Sequence, residues 1–147
     1  MTRTELTEKI LTAKRAQGLS WKRIAERVGG ASPIIITAAL LGQMRLERVQ
    51  AENAATLLGL DTEATALLQE VPHRGSQPGP PADPLLYRFY ELVQVYGTTW
   101  KELIQEEFGD GIMSAIDFDM AIERQPDPKG DRVRITMSGK FLPYKRF

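Results

Sequence analysis

Apolar positions recur with a helical period through the first 70 residues. Leu6, Ile10 and Ala13 share a face behind Thr2, a candidate N-cap whose capping box Glu5 completes, and Gly18 supplies the stop. Ser20 is placed to cap a second helix in which Trp21, Ile24, Ala25 and Val28 recur at i, i+3, i+4 and i+7 before Gly29-Gly30. Ser32-Pro33 opens a third, Ile34 to Leu41, which is apolar almost all round, as a helix buried on several sides must be. A fourth is expected over Leu46 to Leu58, ended by Gly59, and a fifth, capped by Asp61, includes Leu67 and Leu68. Together they predict a small helical bundle over residues 1–70.

From Val71 to Asp83 the chain reads VPHRGSQPGPPAD, whose prolines and glycines deny it both a helix and a paired strand, so residues 71–83 are expected to be a linker. Beyond it, Asp83 is a good N-cap with Pro84 at the first helical position, and Leu85, Phe89, Leu92, Val93 and Tyr96 form one apolar stripe that ends at Gly97. Thr99 and Glu102 form a capping box around Trp100, which predicts a separate helix to about Phe108, where Gly109-Asp110-Gly111 breaks it. The period then changes from helical to twofold. Ile116, Phe118, Met120 and Ile122 alternate with more polar residues, as do Val133, Ile135 and Met137 after the turn-like Asp127-Pro128-Lys129-Gly130, which predicts two paired strands. The fold class is therefore α+β, a helix-turn-helix-like bundle followed by a C-terminal segment, residues 84–147, of helices and two strands. About 65 residues holding a helix pair and a hairpin can hardly bury both faces of that hairpin alone. The segment is expected to complete its core against other chains.

Composition narrows the function classes. No apolar run approaches the roughly 20 residues of a membrane-spanning helix, and the opening Met1-Thr2-Arg3-Thr4-Glu5 lacks the layout of a secretory signal, so a cytoplasmic protein is expected. Lys plus Arg equals Asp plus Glu at 19 each, which leaves no excess charge to neutralise phosphates or anionic lipid. Neither nucleic acid nor membrane is expected as a partner. The absence of Cys removes disulfides, thiolate nucleophiles and thiolate-metal sites together.

Several groupings bear on chemistry. Ala25, Gly29 and the helix after Ser32 have the spacing of a helix-turn-helix, yet a DNA-reading helix must present Arg, Lys, Asn or Gln, and this one offers Pro33-Ile34-Ile35-Ile36-Thr37-Ala38-Ala39-Leu40-Leu41. His73, the only histidine, stands in the linker and is expected to be an ordinary surface or hinge residue. Asp110, Asp117 and Asp119 lack the spacing of a calcium loop, and no metal is expected. Arg88 and Glu91, three residues apart, border the apolar stripe among Tyr87, Phe89 and Tyr90. Such a pair is ordinarily a solvated ion pair. Beside a stripe that must be buried, the arginine could instead be partly dry, and a partly dry arginine is a strong anion clamp. Ser114 follows the Gly109-Asp110-Gly111 turn, where its hydroxyl and neighbouring backbone N–H groups could receive an anion.

Asp83-Pro84, Tyr87-Arg88-Phe89-Tyr90-Glu91, Val95-Tyr96-Gly97-Thr98-Thr99, Phe108 through Ile116 and Gly139-Lys140-Phe141-Leu142-Pro143 together resemble the cyanate hydratase (cyanase) family. Thr37 through Gln43 and Leu68-Gln69-Glu70-Val71-Pro72 extend that resemblance over essentially the whole chain, whereas Tyr144 and Arg146 depart from the pattern. The resemblance implies a lyase that joins cyanate to bicarbonate, a co-substrate, and releases carbon dioxide and carbamate, the latter decomposing to ammonia. It implies Arg88, Glu91 and Ser114 as the catalytic residues, Arg88, Ser114 and Leu142 as substrate-binding, and neither metal nor organic cofactor. It further implies a homodecamer of five intertwined dimers, with active sites where subunits meet. The competing reading is a non-catalytic oligomeric helix-turn-helix regulator.

Overall fold

The computed structural model describes residues 1–75 and 79–147; Ser76, Gln77 and Pro78 of the expected linker lie outside the described residues. The chain divides into two compact units, Met1–Ser76 and Gln77–Phe147.

The first unit holds five helices, α1 (Arg3–Ala16), α2 (Trp21–Val28), α3 (Pro33–Leu40), α4 (Arg48–Leu58) and α5 (Thr62–Leu67). Their starts are set by side-chain caps. Thr2 and Glu5 form the capping box of α1, Ser20 accepts from the Arg23 N–H at 3.1 Å, Ser32 from Ile35 at 3.3 Å and Asp61 from Ala64 at 2.8 Å. The fourth helix starts two residues later than its apolar pattern predicts, because Leu46 is spent in the core while Glu47 takes the cap position. Its neighbour α5 stops at Leu67, with Leu68 buried as the C-cap. One core joins Leu6 and Ile10 of α1, Ile24 and Val28 of α2, Ile36 and Leu40 of α3, and Leu46, Leu58 and Leu68.

The turn between α2 and α3 is made by Gly29 and Gly30, both at left-handed φ (70° and 75°). Asn53 and Gln50 of α4 donate to the carbonyls of Val28 and Gly29 at 3.0 and 3.3 Å, so α4 closes the C-terminal end of α2. This is the helix-turn-helix arrangement, with Ile35 and Leu41 exposed on and just after its second helix, where a DNA-reading element would carry polar side chains.

The second unit holds α6 (Pro84–Phe108), β1 (Gly111–Gln125) and β2 (Arg132–Pro143). Asp83 caps α6 by accepting from Leu85 and Leu86 N–H at 2.9 and 3.0 Å. Where the sequence predicts a break at Gly97 and a new cap at Thr99, α6 runs on unbroken. Gly97 lacks the left-handed φ that Gly109 adopts at the true end, and one glycine inside a helix costs only about 1 kcal/mol, which the flanking turns override.

The strands form one antiparallel hairpin that pairs Met120 with Met137 and Ile122 with Ile135. Near its base the register jumps from Met113↔Phe141 to Phe118↔Gly139, so β1 uses five positions where β2 uses two. Ile116 therefore does not continue the apolar face of Phe118, Met120 and Ile122; it lies in this bulge and is 97% exposed. The unit has almost no interior of its own. No residue of α6 is buried, and the apolar side chains of Ile122, Val133 and Met137 are exposed along the hairpin.

Candidate active site

Four side chains carry the expected chemistry, and they fall into two pairs. Arg88 and Glu91 lie one turn apart near the start of α6, where the Asp83 cap and Pro84 fix the helical register. Arg88 Nη1 donates to Glu91 Oε2 at 3.1 Å, and its guanidinium carbon stands 5.8 Å from the centroid of the Tyr87 ring, itself 6.0 Å from that of Tyr90. Within one chain the pair is wet: the side chains are 65% and 50% exposed. Leu85, Phe89, Leu92, Val93 and Tyr96 beside it are exposed as well, so desolvation of this arginine requires something that covers the stripe. Among the described residues Arg88 has no side-chain bond other than that to Glu91, which leaves most of its donors for an anion.

Ser114 is placed differently from the loop its sequence predicts. It sits inside β1 at the bulge and is only 5% exposed, the one buried polar side chain among the described residues. Its Oγ accepts from the N–H groups of Ile116 at 3.0 Å and Asp117 at 2.9 Å. Those two N–H groups are therefore not free to hold an anion. A hydroxyl has two lone pairs and one proton, so with both lone pairs occupied Ser114 is left as a hydrogen-bond donor, poorly suited to act as base or nucleophile.

Leu142 lies on β2 opposite Ile112, two positions from Ser114 along the hairpin, and is partly exposed. The structure thus joins Arg88 to Glu91 and sets Ser114 near Leu142, but α6 and the hairpin do not pack extensively against one another. They meet where Phe108 stacks on Phe141, ring centroids 5.3 Å apart, and where Tyr144 N–H donates to the Asp110 carbonyl at 3.1 Å. None of the four residues lines the groove of about 840 Å³ in the first unit, which is bordered by Glu5, Lys9, Thr12, Leu60 and Asp61. No group of three His, Asp or Glu side chains able to hold a metal ion comes together among the described residues, and His73 is exposed.

Sequence reasoning read Gly111 only as part of a helix-breaking turn and Gly139 only as part of the family pattern. Gly139 lies inside β2 and Gly111 opens β1, and a strand glycine often marks a bulge or a close backbone approach, which was the available signal.

Comparison with known proteins agrees over the whole chain. The family model described as "Cyanate hydratase, N-terminal" matches residues 3–72, and that of the cyanate lyase C-terminal domain matches residues 78–146. The chain is 62% identical to a cyanate hydratase from Ralstonia pickettii and 58% identical to one from Cupriavidus necator, in each case over 148 aligned residues covering 100% of both chains. Among solved structures it is similar to the crystal structure of cyanase from T. urticae, with a TM-score of 0.79, 37% identity, and coverage of 94% of this chain and 96% of that one. Two matched domains and full-length identity of this order lead to one conclusion: the chain belongs to the cyanate hydratase (cyanate lyase) family.

Proposed function

We propose that the protein is a lyase that decomposes cyanate with bicarbonate as co-substrate, forming carbon dioxide and carbamate, and that carbamate then takes up a proton and breaks its C–N bond to give ammonia and a second carbon dioxide. The observation that carries this reading is Ser114. Its oxygen is saturated by two backbone N–H groups and its proton has no acceptor among the described residues, so it is a fixed donor suited to a small anion.

Cyanate and bicarbonate repel one another, and the site must hold both. On this reading Arg88 supplies positive charge, Ser114 donates to one of the anions, and Leu142 provides apolar wall that excludes water. A bicarbonate oxygen attacks the cyanate carbon, forming a C–O bond as the electron pair of a C–N bond moves to nitrogen. The nitrogen gains two protons, one carried by bicarbonate and one taken up, as a C–O bond of the former bicarbonate breaks to release carbon dioxide. Orientation of the two anions supplies much of the acceleration. Glu91, bonded to Arg88 at 3.1 Å, is proposed either to orient the guanidinium or to assist proton transfer to the nitrogen. The steps are addition and decarboxylation without net oxidation, and guanidinium and hydroxyl groups can stabilise the charge involved, so the proposal includes neither metal nor organic cofactor.

The proposal also includes a homodecamer of five dimers, with copies of Arg88 approaching across subunit boundaries. Its support is the uncovered apolar stripe of α6 and the hairpin face, which a single chain leaves in water. No described helix is long and apolar enough to cross a membrane, and we place the protein in the cytoplasm, where cyanate removal would release usable nitrogen.

Ammonia release from cyanate by the purified protein, with bicarbonate present and then rigorously removed, tests the reading. Release that depends on bicarbonate is expected. No release by a well-folded oligomer, together with a salt-sensitive DNA complex, would favour the regulator instead.

A further inference from the structure

The bulge that holds Ser114 faces a position on the opposite strand that carries no side chain. Gly139 pairs with Phe118 at the edge of the register jump. A Cβ built on Gly139 would collide with the carbonyl oxygen of Ser114, and would lie 2.7 Å from Met113 Cγ and 3.2 Å from Phe118 Cδ2. The backbone of Gly139 is not left-handed, so nothing in its conformation calls for glycine; the requirement is space alone. Gly111 shows the reciprocal arrangement across the hairpin. Its Cβ would collide with the carbonyl oxygen of Leu142 and lie 2.5 Å from Phe141 Cζ and 2.9 Å from Pro143 Cα, again without a left-handed φ. Each strand therefore omits a side chain where the carbonyl of a candidate site residue on the other strand must enter.

We propose that Gly139 and Gly111 are positioning residues: the first seats Ser114 so that its hydroxyl is held by the Ile116 and Asp117 N–H groups, and the second sets the position of Leu142 beside it. A methyl group at Gly139 displaces the Ser114 carbonyl by the several tenths of an ångström needed to relieve the overlap, and the hydroxyl moves with the bulge. Misplacement of about 1 Å can cost a catalytic group roughly 100-fold in rate. The catalytic part of this inference rests on the proposed cyanate chemistry; the structural part does not.

The test is Gly139→Ala in the full-length protein, assayed for bicarbonate-dependent ammonia release and, separately, for amide hydrogen exchange at Ile116 and Asp117. Expected are a native-sized oligomer, a fall in kcat of about 10- to 100-fold with a smaller change in KM, and faster exchange at both amides. Because Gly139 acts through the serine, the double variant Ser114→Ala/Gly139→Ala should be no slower than Ser114→Ala alone. Unchanged kcat, two amides as protected as in the wild type, or a full further loss on the Ser114→Ala background would each overturn the assignment. If the wild type turns over no cyanate, the exchange measurement still decides whether Gly139 seats the bulge. If Gly139→Ala does not assemble, Gly111→Ala is the deciding variant. Its loss of kcat should disappear when Leu142 is already alanine, and persistence of that loss would overturn the proposal.

Discussion

Ser114→Ala separates two roles that one hydroxyl fills. As an acceptor it satisfies the N–H groups of Ile116 and Asp117, at 3.0 and 2.9 Å. Deleting it leaves both donors to find water, and because the bonds are only half-buried, the expected loss is about 1–2 kcal/mol of stability, toward the low end for two unmade hydrogen bonds. As a donor it faces the reacting anions in the proposed site, and removing one such preorganised donor typically costs about 10²- to 10³-fold in kcat, or ~3–4 kcal/mol of barrier. The chemical loss should therefore exceed the structural one. Steady-state ammonia release and denaturant unfolding, both at one fixed protomer concentration because assembly contributes to apparent stability, give the two quantities independently. An assembled Ser114→Ala variant within roughly threefold of wild-type kcat would refute the donor role, because loss of a preorganised donor to the reacting anion is expected to cost about 10²-fold or more. A loss of activity that merely tracked loss of the oligomer would refute it equally.

Four further outcomes are expected. Arg88→Lys keeps the charge but loses the planar fork, and should lower kcat/KM by about 100-fold or more while sedimentation shows an unchanged oligomer. Arg3 donates to the carbonyls of Leu67 at 2.7 Å and Met44 at 2.9 Å, tying α1 to the end of α5 and the loop before α4, so Arg3→Met should cost about 2–3 kcal/mol in thermal or denaturant unfolding. The Ala64 N–H holds the Asp61 carboxyl below its ordinary range, so the ionised form contributes stability above the unfolded-state value, lost as pH falls through the depressed one; Asp61→Asn should flatten the decline in stability between about pH 5 and pH 2. Removing the chain after Gly139 deletes the strand that pairs with Gly111 through Met113, and should abolish the native-sized oligomer in sedimentation as well as turnover.

How much of this was legible beforehand follows the range of the interactions involved. Thr2, Ser20, Ser32, Asp61 and Asp83 announce their helices because a cap bonds to a backbone group two or three residues away. The turn at Asp127 through Gly130 is local in the same sense: Gly130 N–H donates to the Asp127 carbonyl at 3.0 Å. Gly97-Thr98-Thr99 carried an equally local stop-and-cap signal, and it misled, because the surrounding turns propagate α6 through it. The only local sign of the bulge was a glycine, Gly139, inside a strand. Alternation through Ile116, Phe118 and Met120 is uninterrupted in sequence, and only the pairing register, which depends on residues more than twenty positions away, shows that Ser114 through Asp117 lie outside the ladder. Arg88, Glu91 and Ser114 were legible as a family pattern, whereas the state of the serine oxygen, accepting from two backbone donors, depends on that same bulge.

On the proposed reading, the net neutrality of the chain and the demand for two bound anions are reconciled by where Arg88 sits. A guanidinium 65% exposed acts through a medium close to water, where a unit charge 4 Å away is worth about 1 kcal/mol; at an effective dielectric of 20 the same pair is worth about 4. Nothing within the second unit alone can make that change, because the stripe bordering Arg88 is uncovered from Leu85 to Tyr96. Covering the stripe removes apolar surface from water, which drives association, and in the same event lowers the dielectric around Arg88. On the proposed reading, assembly and anion binding are therefore one physical process viewed from two sides. The ion pair with Glu91 fits this economy: in the free chain it occupies part of the guanidinium, and once the site is dry, two arriving anions compete with the carboxylate for the same donors. On that reading, an arginine flanked by apolar side chains and paired to a carboxylate is poorly suited to acting alone and well suited to acting at a subunit boundary.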